Sequence, residues 1–179
     1  MKKILFTAML AMVLVSTVAL TGCEDEGIEE TVGDKGISVT LEDACFAEPS
    51  SSPEGLDTLV VWLTFENTGT SALYFDCAGY VYLVSDDEDI ELPEAVELNG
   101  AGPQASIMAS TETCFRALKP KQIYDSKFKF AMEGLFSLME DEDIKLVVYA
   151  EDSKSTGVAV EFGLPDLEEL WECTADDLK

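Results

Sequence analysis

The side chains best suited to chemistry in this sequence are carboxylates, which are grouped in two short runs at residues 85–89 and 140–143. Oxygen ligands that lie close together on a turn suit Ca²⁺, which takes about six to eight oxygens. The candidate ligands are Asp86, Asp87, Asp89, Asp141 and Asp143. Neither run matches the D-x-D-x-D-G calcium loop, and both lie where hairpin turns are expected. Solvated turns are therefore favoured over a calcium site.

Histidine is absent from the sequence, which removes several kinds of active site. Ser-His-Asp and Cys-His nucleophiles cannot be built, and zinc sites that use histidine are excluded. A carboxylate pair could still act as acid and base, but it needs two acids about 5–10 Å apart in a cleft, which the sequence does not specify. We therefore predict a protein that is not an enzyme and has no cofactor, with calcium as a minor alternative.

The charge balance excludes further partners, because 36 acidic residues face 11 basic ones and the net charge is -25. Nucleic acid is excluded because its phosphates require a basic surface, and so is adhesion of the folded domain to anionic lipid. Basic residues concentrate in one stretch: Arg116, Lys119, Lys121, Lys127 and Lys129. They could form a contact patch for an anionic partner or a second copy. Lysines that protect an edge strand are slightly favoured.

Aromatic residues offer a second kind of site, because they are enriched at interfaces. The candidates are Trp62, Trp171, Tyr74, Tyr80 and Tyr82. Core packing is the commoner fate of aromatic residues on strands, and we predict it for Trp62 in particular. A pocket on the order of several hundred Å³ would favour solute binding over a flat interaction module.

The amino-terminal residues resemble a bacterial lipoprotein signal peptide. Lys2 and Lys3 precede an apolar run at residues 4–20, and Leu-Thr-Gly-Cys closes that run at Cys23. The resemblance implies that residues 1–22 are removed and that Cys23 carries a diacylglyceryl group. A transmembrane anchor and an ordinary secretory signal are the alternatives. Two or three acyl chains make a stable anchor, at about 0.8 kcal/mol per buried methylene.

The segment that follows is predicted to be a flexible tether. Residues 23–36 comprise the cysteine and then an acidic stretch that contains glycine and lacks hydrophobic periodicity. Such a composition is typical of disordered chain. The tether would hold an acidic domain clear of an acidic membrane.

Residues 37–163 have the alternation that is typical of β-strands. It is clearest at residues 58–66, where every second residue is apolar, and the turn at residues 67–70 follows. Roughly seven to nine short strands without a long helix predict an all-β sandwich. In residues 164–179, Pro165 and apolar residues at helical spacing predict a short C-terminal helix and a tail.

A family resemblance rests on the Asn67-Thr68-Gly69 turn between two strands, the acidic turn after them, and the later stretch LKPKQ…SKFKFAM. This pattern resembles a widespread family of lipoprotein domains of unknown function, similar in fold to an immunoprotective secreted mycobacterial antigen. It covers about residues 37–162 and implies an immunoglobulin-like β-sandwich. Lys121 follows Pro120 where that family usually has glycine, and four extra cysteines are present. The resemblance implies no functional residues.

Four cysteines remain beyond the lipidated one, and an oxidising compartment predicts two disulfides. Opposite ends of a sandwich are roughly 20–25 Å apart, whereas a disulfide allows about 7 Å between Cα atoms. Counting strand reversals places Cys45 and Cys114 at one end. It places Cys77 and Cys173 at the other end, so the predicted pairs are Cys45–Cys114 and Cys77–Cys173. A chain reversal directly after Cys77 would instead make Cys77–Cys114 the competing pair.

Together these features predict a lipoprotein that is anchored in the cell membrane and faces the extracytoplasmic side. Its immunoglobulin-like domain would act as a binding or structural interaction module. The alternative is a calcium-dependent or solute-binding lipoprotein. Membrane contact is expected through the lipid alone, and the protein or envelope partner is not specified by the sequence.

The anchor can be tested by changing Cys23→Ala. Because the thiol is the attachment point, the variant should leave the membrane fraction or remain unprocessed while the domain still folds. Membrane fractionation with mass measurement checks this outcome. A Cys23→Ala protein that stays tightly in the membrane after signal cleavage would contradict it.

Overall fold

Two β-sheets packed face to face make up most of the described chain. The computed structural model describes residues 30–34, 36–76, 79–87, 90–98, 115–141, 143–152 and 157–179. Within these residues the chain forms eleven strands, one α-helix and one 3₁₀ turn. The predicted all-β sandwich is confirmed.

The strands are β1 (Glu30–Asp34), β2 (Ile37–Ala47), β3 (Asp57–Asn67), β4 (Leu73–Asp76), β5 (Val81–Ser85), β6 (Val96–Leu98), β7 (Phe115–Leu118), β8 (Ile123–Met132), β9 (Ile144–Asp152), β10 (Gly157–Gly163) and β11 (Trp171–Glu172). The helix α1 is Leu135–Asp141, and the 3₁₀ turn is Leu167–Glu169. The helix α1 lies between β8 and β9.

The first sheet has the strand order β1-β2-β3-β8-β6, and the second has the order β10-β9-β4-β7 with β5 alongside β9. All neighbours are antiparallel except β11, which runs parallel to β2. Because β3 occupies one side of β2 along its length, β1 and β11 share the other side. The strand β3 lies at the centre of its sheet, between β2 and β8.

The core forms between the two sheets from side chains that alternate along their strands. In β3 the inward residues are Leu59, Val61, Leu63 and Phe65, each no more than 1% exposed. In β8 the inward residues include Phe128 and Phe130, which are both buried. Each such buried side chain contributes about 1.5–3 kcal/mol to the free energy of folding.

One end of the sandwich is closed around the buried side chain of Asn67, the last residue of β3. Its Nδ2 donates to the carbonyl oxygens of Ser71, at 2.9 Å, and Leu118, at 2.7 Å. The Asn67 backbone oxygen accepts from the N–H of Lys121 at 2.8 Å. Asn67 therefore connects the turn after β3 to the turn after β7, which fixes one sheet against the other.

Lys121 stands in a backbone conformation that favours glycine. Its φ is +64°, in the left-handed region. This is the position where the resembled family usually has glycine after Pro120. The backbone geometry thus gives a physical reason for glycine there, although this chain carries lysine.

Three predicted features need correction. Residues 30–34 of the predicted tether form β1, because they pair with residues 37–41 of β2 in a hairpin. The predicted C-terminal helix is only the three-residue 3₁₀ turn, and the chain then extends into β11. The strand β8 is not an edge strand, since β3 and β6 pair with its two sides. Its lysines therefore do not protect an open edge.

The disulfide prediction is also wrong. Cys45 bonds to Cys173, with Cα atoms 5.1 Å apart. This bond excludes both Cys45–Cys114 and Cys77–Cys173. Cys77 and Cys114 themselves lie outside the described residues.

The physical reason for the error is the direction of β7. The prediction let the chain run through β7 toward the end that holds Cys45. In the structure β7 pairs antiparallel with β4 and ends instead beside Asn67. Every later strand is therefore inverted relative to the prediction, and β11 arrives at the level of Cys45.

The same register predicts the second disulfide. Asp76 is opposite Phe115 in the β4–β7 pair, and in the sequence Cys77 follows Asp76 and Cys114 precedes Phe115. Directly opposed antiparallel residues have Cα atoms about 4.5–5.5 Å apart, a distance that a disulfide spans. We expect non-reducing peptide mapping to find Cys77 joined to Cys114 and Cys45 joined to Cys173. A peptide that joins Cys45 to Cys77 or to Cys114 would contradict the register.

Candidate binding groove

The outer face of the first sheet, which points away from the core, carries the candidate site. The strand registers align its side chains in rows across β2, β3 and β8. One row contains Asp43, Trp62 and Lys127. The next row contains Thr64 and Asp125, with Thr40 beyond them on β2. These two rows form a polar and aromatic surface on a rigid sheet.

A β-bulge concentrates carboxylates beside this surface. The register between β2 and β3 shifts between Leu41 and Asp43, so Glu42 is the extra residue. Leu41 and Ala44 both face the core. The bulge therefore places two consecutive acidic side chains, Glu42 and Asp43, on the outer face, where regular alternation would allow one.

Two tryptophans form the wall between the surface and the rest of the outer face. The rings of Trp62 and Trp171 are stacked, with centroids 5.8 Å apart and planes 24° apart. Trp171 Nε1 donates to Asp43 Oδ1 at 2.9 Å, and the backbone N–H of Ala44 donates to the same oxygen at 2.8 Å. One carboxylate therefore orients the indole of Trp171 and closes the bulge.

The C-terminal segment, residues 171–179, covers the outer face beyond this wall. Its Cys173 and Leu178 pack with Cys45, Ala47 and Val60 in a second, smaller apolar cluster. The strand β11 places Trp171 opposite Cys45, and the disulfide holds the segment at that level. The outer face of β3 is thus covered at Val60 and becomes open past Trp62.

The open part of the face is a groove of about 590 Å³, which we call the Trp62 groove. The charged, polar and aromatic residues on its outer-face rows are Glu42, Asp43, Trp62, Thr64, Asp125 and Lys127. Thr64 Oγ1 donates to Asp125 Oδ1 at 2.8 Å, which orients that carboxylate across the strands. The volume lies within the range of about 300–1,000 Å³ that is typical of ligand sites.

Lys127 is an unusual member of the groove because it is a basic residue that is largely buried. It is 7% exposed, and its Nζ lies 5.7 Å from the centroid of the Trp62 ring. Its hydrogen bond goes to the backbone oxygen of Asp176 at 3.5 Å. The indole face and the C-terminal segment therefore hold this cation in place.

The predicted acidic runs meet elsewhere, at one end of the second sheet. Because Ser85 is opposite Ile144, the runs that contain Asp86 and Asp143 adjoin each other. Lys145 Nζ lies 3.4 Å from Asp86 and 3.7 Å from Asp143, and hydrogen bonding to Asp86 raises the lysine pKa. A cation of the chain itself is thus the neighbour of both carboxylates.

The remaining predicted calcium ligands are less well defined. The backbone N–H of Asp87 donates a hydrogen bond to Ser85 Oγ at 3.1 Å. Asp89 and the side chain of Asp141 lie outside the described residues. In the described part of the chain, no group of three or more metal-ligating side chains is arranged to hold an ion.

The aromatic candidates separate into different environments. Trp62 was predicted in the core, but it lies on the outer face and packs against the second cluster. Tyr80 is buried between the sheets, whereas Tyr82 is exposed. Trp62 and Trp171 are therefore the two aromatic candidates that come together in a stacked pair at the groove.

The basic candidates do not form one patch. Lys127 and Lys129 point outward from β8 as predicted, but Lys129 forms an ion pair with Glu54 on the loop before β3. Lys119 and Lys121 lie at the Asn67 end of the sandwich. The side chain of Arg116 lies outside the described residues.

A polar cluster inside the sandwich was missed by the sequence reasoning. Glu97 of β6 accepts hydrogen bonds from Ser126 Oγ at 2.8 Å, Tyr80 Oη at 3.3 Å and the Tyr124 hydroxyl. Burial and then the Glu97 carboxylate raise the pKa of Tyr124. These bonds satisfy a carboxylate that would otherwise destabilise the edge of the core.

Comparison with known proteins does not assign a family. No protein-family model matches the sequence, and no curated protein matches it. One similar solved structure is described as a functionally unknown protein from Listeria monocytogenes EGD-e. It has 10% sequence identity and a TM-score of 0.49, over 78% of this chain and 83% of that chain. Helices in the described residues are too short or too polar to cross a bilayer.

Proposed function

We propose that this protein is a lipid-anchored binding module that faces the extracytoplasmic side of the cell membrane and holds its ligand in the Trp62 groove. The observation that supports this proposal is the groove itself, about 590 Å³ on the outer face of the first sheet. A groove of this size favours the binding of a defined ligand over a flat interaction surface. The proposed role is binding, without a catalytic step.

The proposed anchor would place the groove close to the membrane. Six residues, 24–29, separate Cys23 from the start of β1. An extended chain of six residues reaches about 22 Å at most. The first residue of β1, Glu30, is opposite Leu41, directly before the bulge that carries Glu42. A lipid on Cys23 would therefore hold the groove within a few tens of ångströms of the bilayer.

The immunoglobulin-like assignment remains part of the proposal. It is supported by two facing sheets with mainly antiparallel strands and by the resemblance over residues 37–162. The left-handed φ of Lys121 agrees with the glycine that the resembled family has at this position. That family of lipoprotein domains has no agreed activity, so the proposed function rests on the groove.

A calcium-dependent role has less support than a groove ligand. Lys145 lies beside Asp86 and Asp143, at the place where the two acidic runs meet. A bound Ca²⁺ would have to displace or repel this ammonium. We therefore place ligand binding in the groove and propose no metal.

The proposal can be tested by filling the groove. We expect Thr64→Tyr to block binding, because the larger ring would project from the floor of the groove, and Ile123→Tyr to preserve it. Ile123 is 60% exposed and lies outside the groove on β8. The full chain in non-ionic detergent would be screened by ligand-observed NMR against cationic, neutral and anionic peptides and oligosaccharides.

The expected result is at least one ligand class that binds the wild type and Ile123→Tyr but not Thr64→Tyr. If no member of the panel distinguishes the wild type from Thr64→Tyr, the groove is not the binding site. Circular dichroism of both variants would confirm that each one is folded.

A further inference from the structure

The charges of the Trp62 groove are unbalanced. Glu42, Asp43 and Asp125 contribute three carboxylates, whereas Lys127 contributes one ammonium. None of the three carboxylates forms an ion pair with a described residue. The excess of negative charge lies in a concave site, which focuses its field on whatever enters.

We propose that the ligand of this groove is a basic peptide in an extended conformation. Its cationic side chains would contact the carboxylates of Glu42, Asp43 and Asp125, and one of its backbone carbonyl oxygens would accept from Lys127. This inference rests on the proposed binding function and names the chemistry of the ligand.

The carboxylates retain the capacity to bind cations. Among the described residues, the hydrogen bonds to the carboxylates of Asp43 and Asp125 go to the Oδ1 atoms, so each Oδ2 can accept from a ligand. Glu42 is exposed on the bulge. A guanidinium offers paired N–H donors that match a carboxylate, so arginine suits these acceptors better than lysine.

Lys127 favours a peptide over a simple polyamine. An ammonium has three N–H donors, and the one hydrogen bond of Lys127 to the described chain is at 3.5 Å. A polyamine would bring only further positive charge toward this group. A peptide brings carbonyl oxygens as well as cations, so it can satisfy both the ammonium and the carboxylates.

The edge of β2 gives a peptide backbone a place to lie. Along that edge, β1 pairs as far as Leu41 and β11 begins at Cys45. Among the described residues, no strand pairs with Glu42 or Asp43 along that edge. This part of the edge adjoins the groove, so an extended peptide could contact the strand edge while its side chains reach the carboxylates.

Charge also excludes two other possible ligands of the groove, both of which are parts of this protein: a second copy and residues 24–29. A second copy carries the same net charge of -25 and would be repelled. Residues 24–29, EDEGIE, lead into β1 near the groove but contain four acidic residues and no basic one. A basic partner is the complement that remains.

The experiment compares two peptides that differ only in charge. One is an acetylated and amidated Ala-Arg-Ala-Arg-Ala, and the other has citrulline in place of both arginines. Binding to the full chain in non-ionic detergent would be measured by isothermal titration calorimetry. We expect the arginine peptide to bind at least about tenfold more tightly, and its affinity to fall as NaCl rises.

Variants then locate the binding site. Asp125→Asn should weaken the arginine peptide about fivefold, because one nearby charge is lost. The control is Glu161→Gln, an equal charge change at an exposed position of β10 on the opposite sheet, and it should change affinity less than about twofold. Lys127→Met should weaken both peptides, because it removes the donor to the carbonyl while keeping an apolar stem.

Each contrary outcome has a distinct meaning. Equal affinity of the arginine and citrulline peptides would overturn the basic-peptide inference while leaving a groove ligand intact. Equal effects of Asp125→Asn and Glu161→Gln would show only a general charge attraction and would overturn the location. Tighter binding by Lys127→Met, or equal binding of spermidine and the arginine peptide, would overturn the proposed hydrogen bond from Lys127 to a peptide carbonyl. Loss of all groove-dependent binding in the panel above would instead reject the proposed function.

Discussion

The position of the groove depends on how far the C-terminal segment covers the outer face of β3. The inner face of β3 packs in the core along its length, whereas among the described residues its outer face is covered as far as the C-terminal segment extends. That segment is held by the β11–β2 pairing and by the Cys45–Cys173 bond. Where the cover ends, Trp171 stacks on Trp62 and the groove begins. A disulfide near the end of the chain thus defines the boundary of the proposed site.

The bulge in β2 determines which charged side chains lie at that boundary. A regular strand would alternate one outer side chain with one inner side chain, but the register shift turns both Glu42 and Asp43 outward. Asp43 then accepts the indole N–H of Trp171, so the same carboxylate supports the aromatic wall and contributes negative charge. Structure and electrostatics are coupled at this residue, because a change to Asp43 would affect both.

Part of this fold follows from local sequence patterns. The alternation in residues 58–66 and 123–132 predicts both the strands and their inward residues, since a period of two allows one buried face. The sequence does not reveal the bulge at Glu42, because the pair Glu42-Asp43 is equally compatible with a polar turn. Trp62 was predicted in the core because the sequence does not reveal which covering segment would reach its outer face.

The larger errors have a non-local cause. Strand direction after residue 98 depends on which partner β7 takes, and four residues of sequence cannot specify a partner that lies about 40 residues earlier in the chain. The opposite direction of β7 inverted every later strand and exchanged the partners of the cysteines. The same inversion hid the proximity of Trp171 to Trp62, and therefore the groove.

The central claim, that a basic peptide binds beside the stacked tryptophans, can be tested directly by the indole N–H signals. The chain has two tryptophans, so a ¹⁵N–¹H spectrum contains two such signals; Trp62 lines the groove, and Trp171 stacks on Trp62. We expect titration with the arginine peptide to shift the Trp62 and Trp171 signals to saturation, and the citrulline peptide to require at least about tenfold higher concentration for the same shifts. Binding of the arginine peptide without a shift of either indole signal would contradict the account.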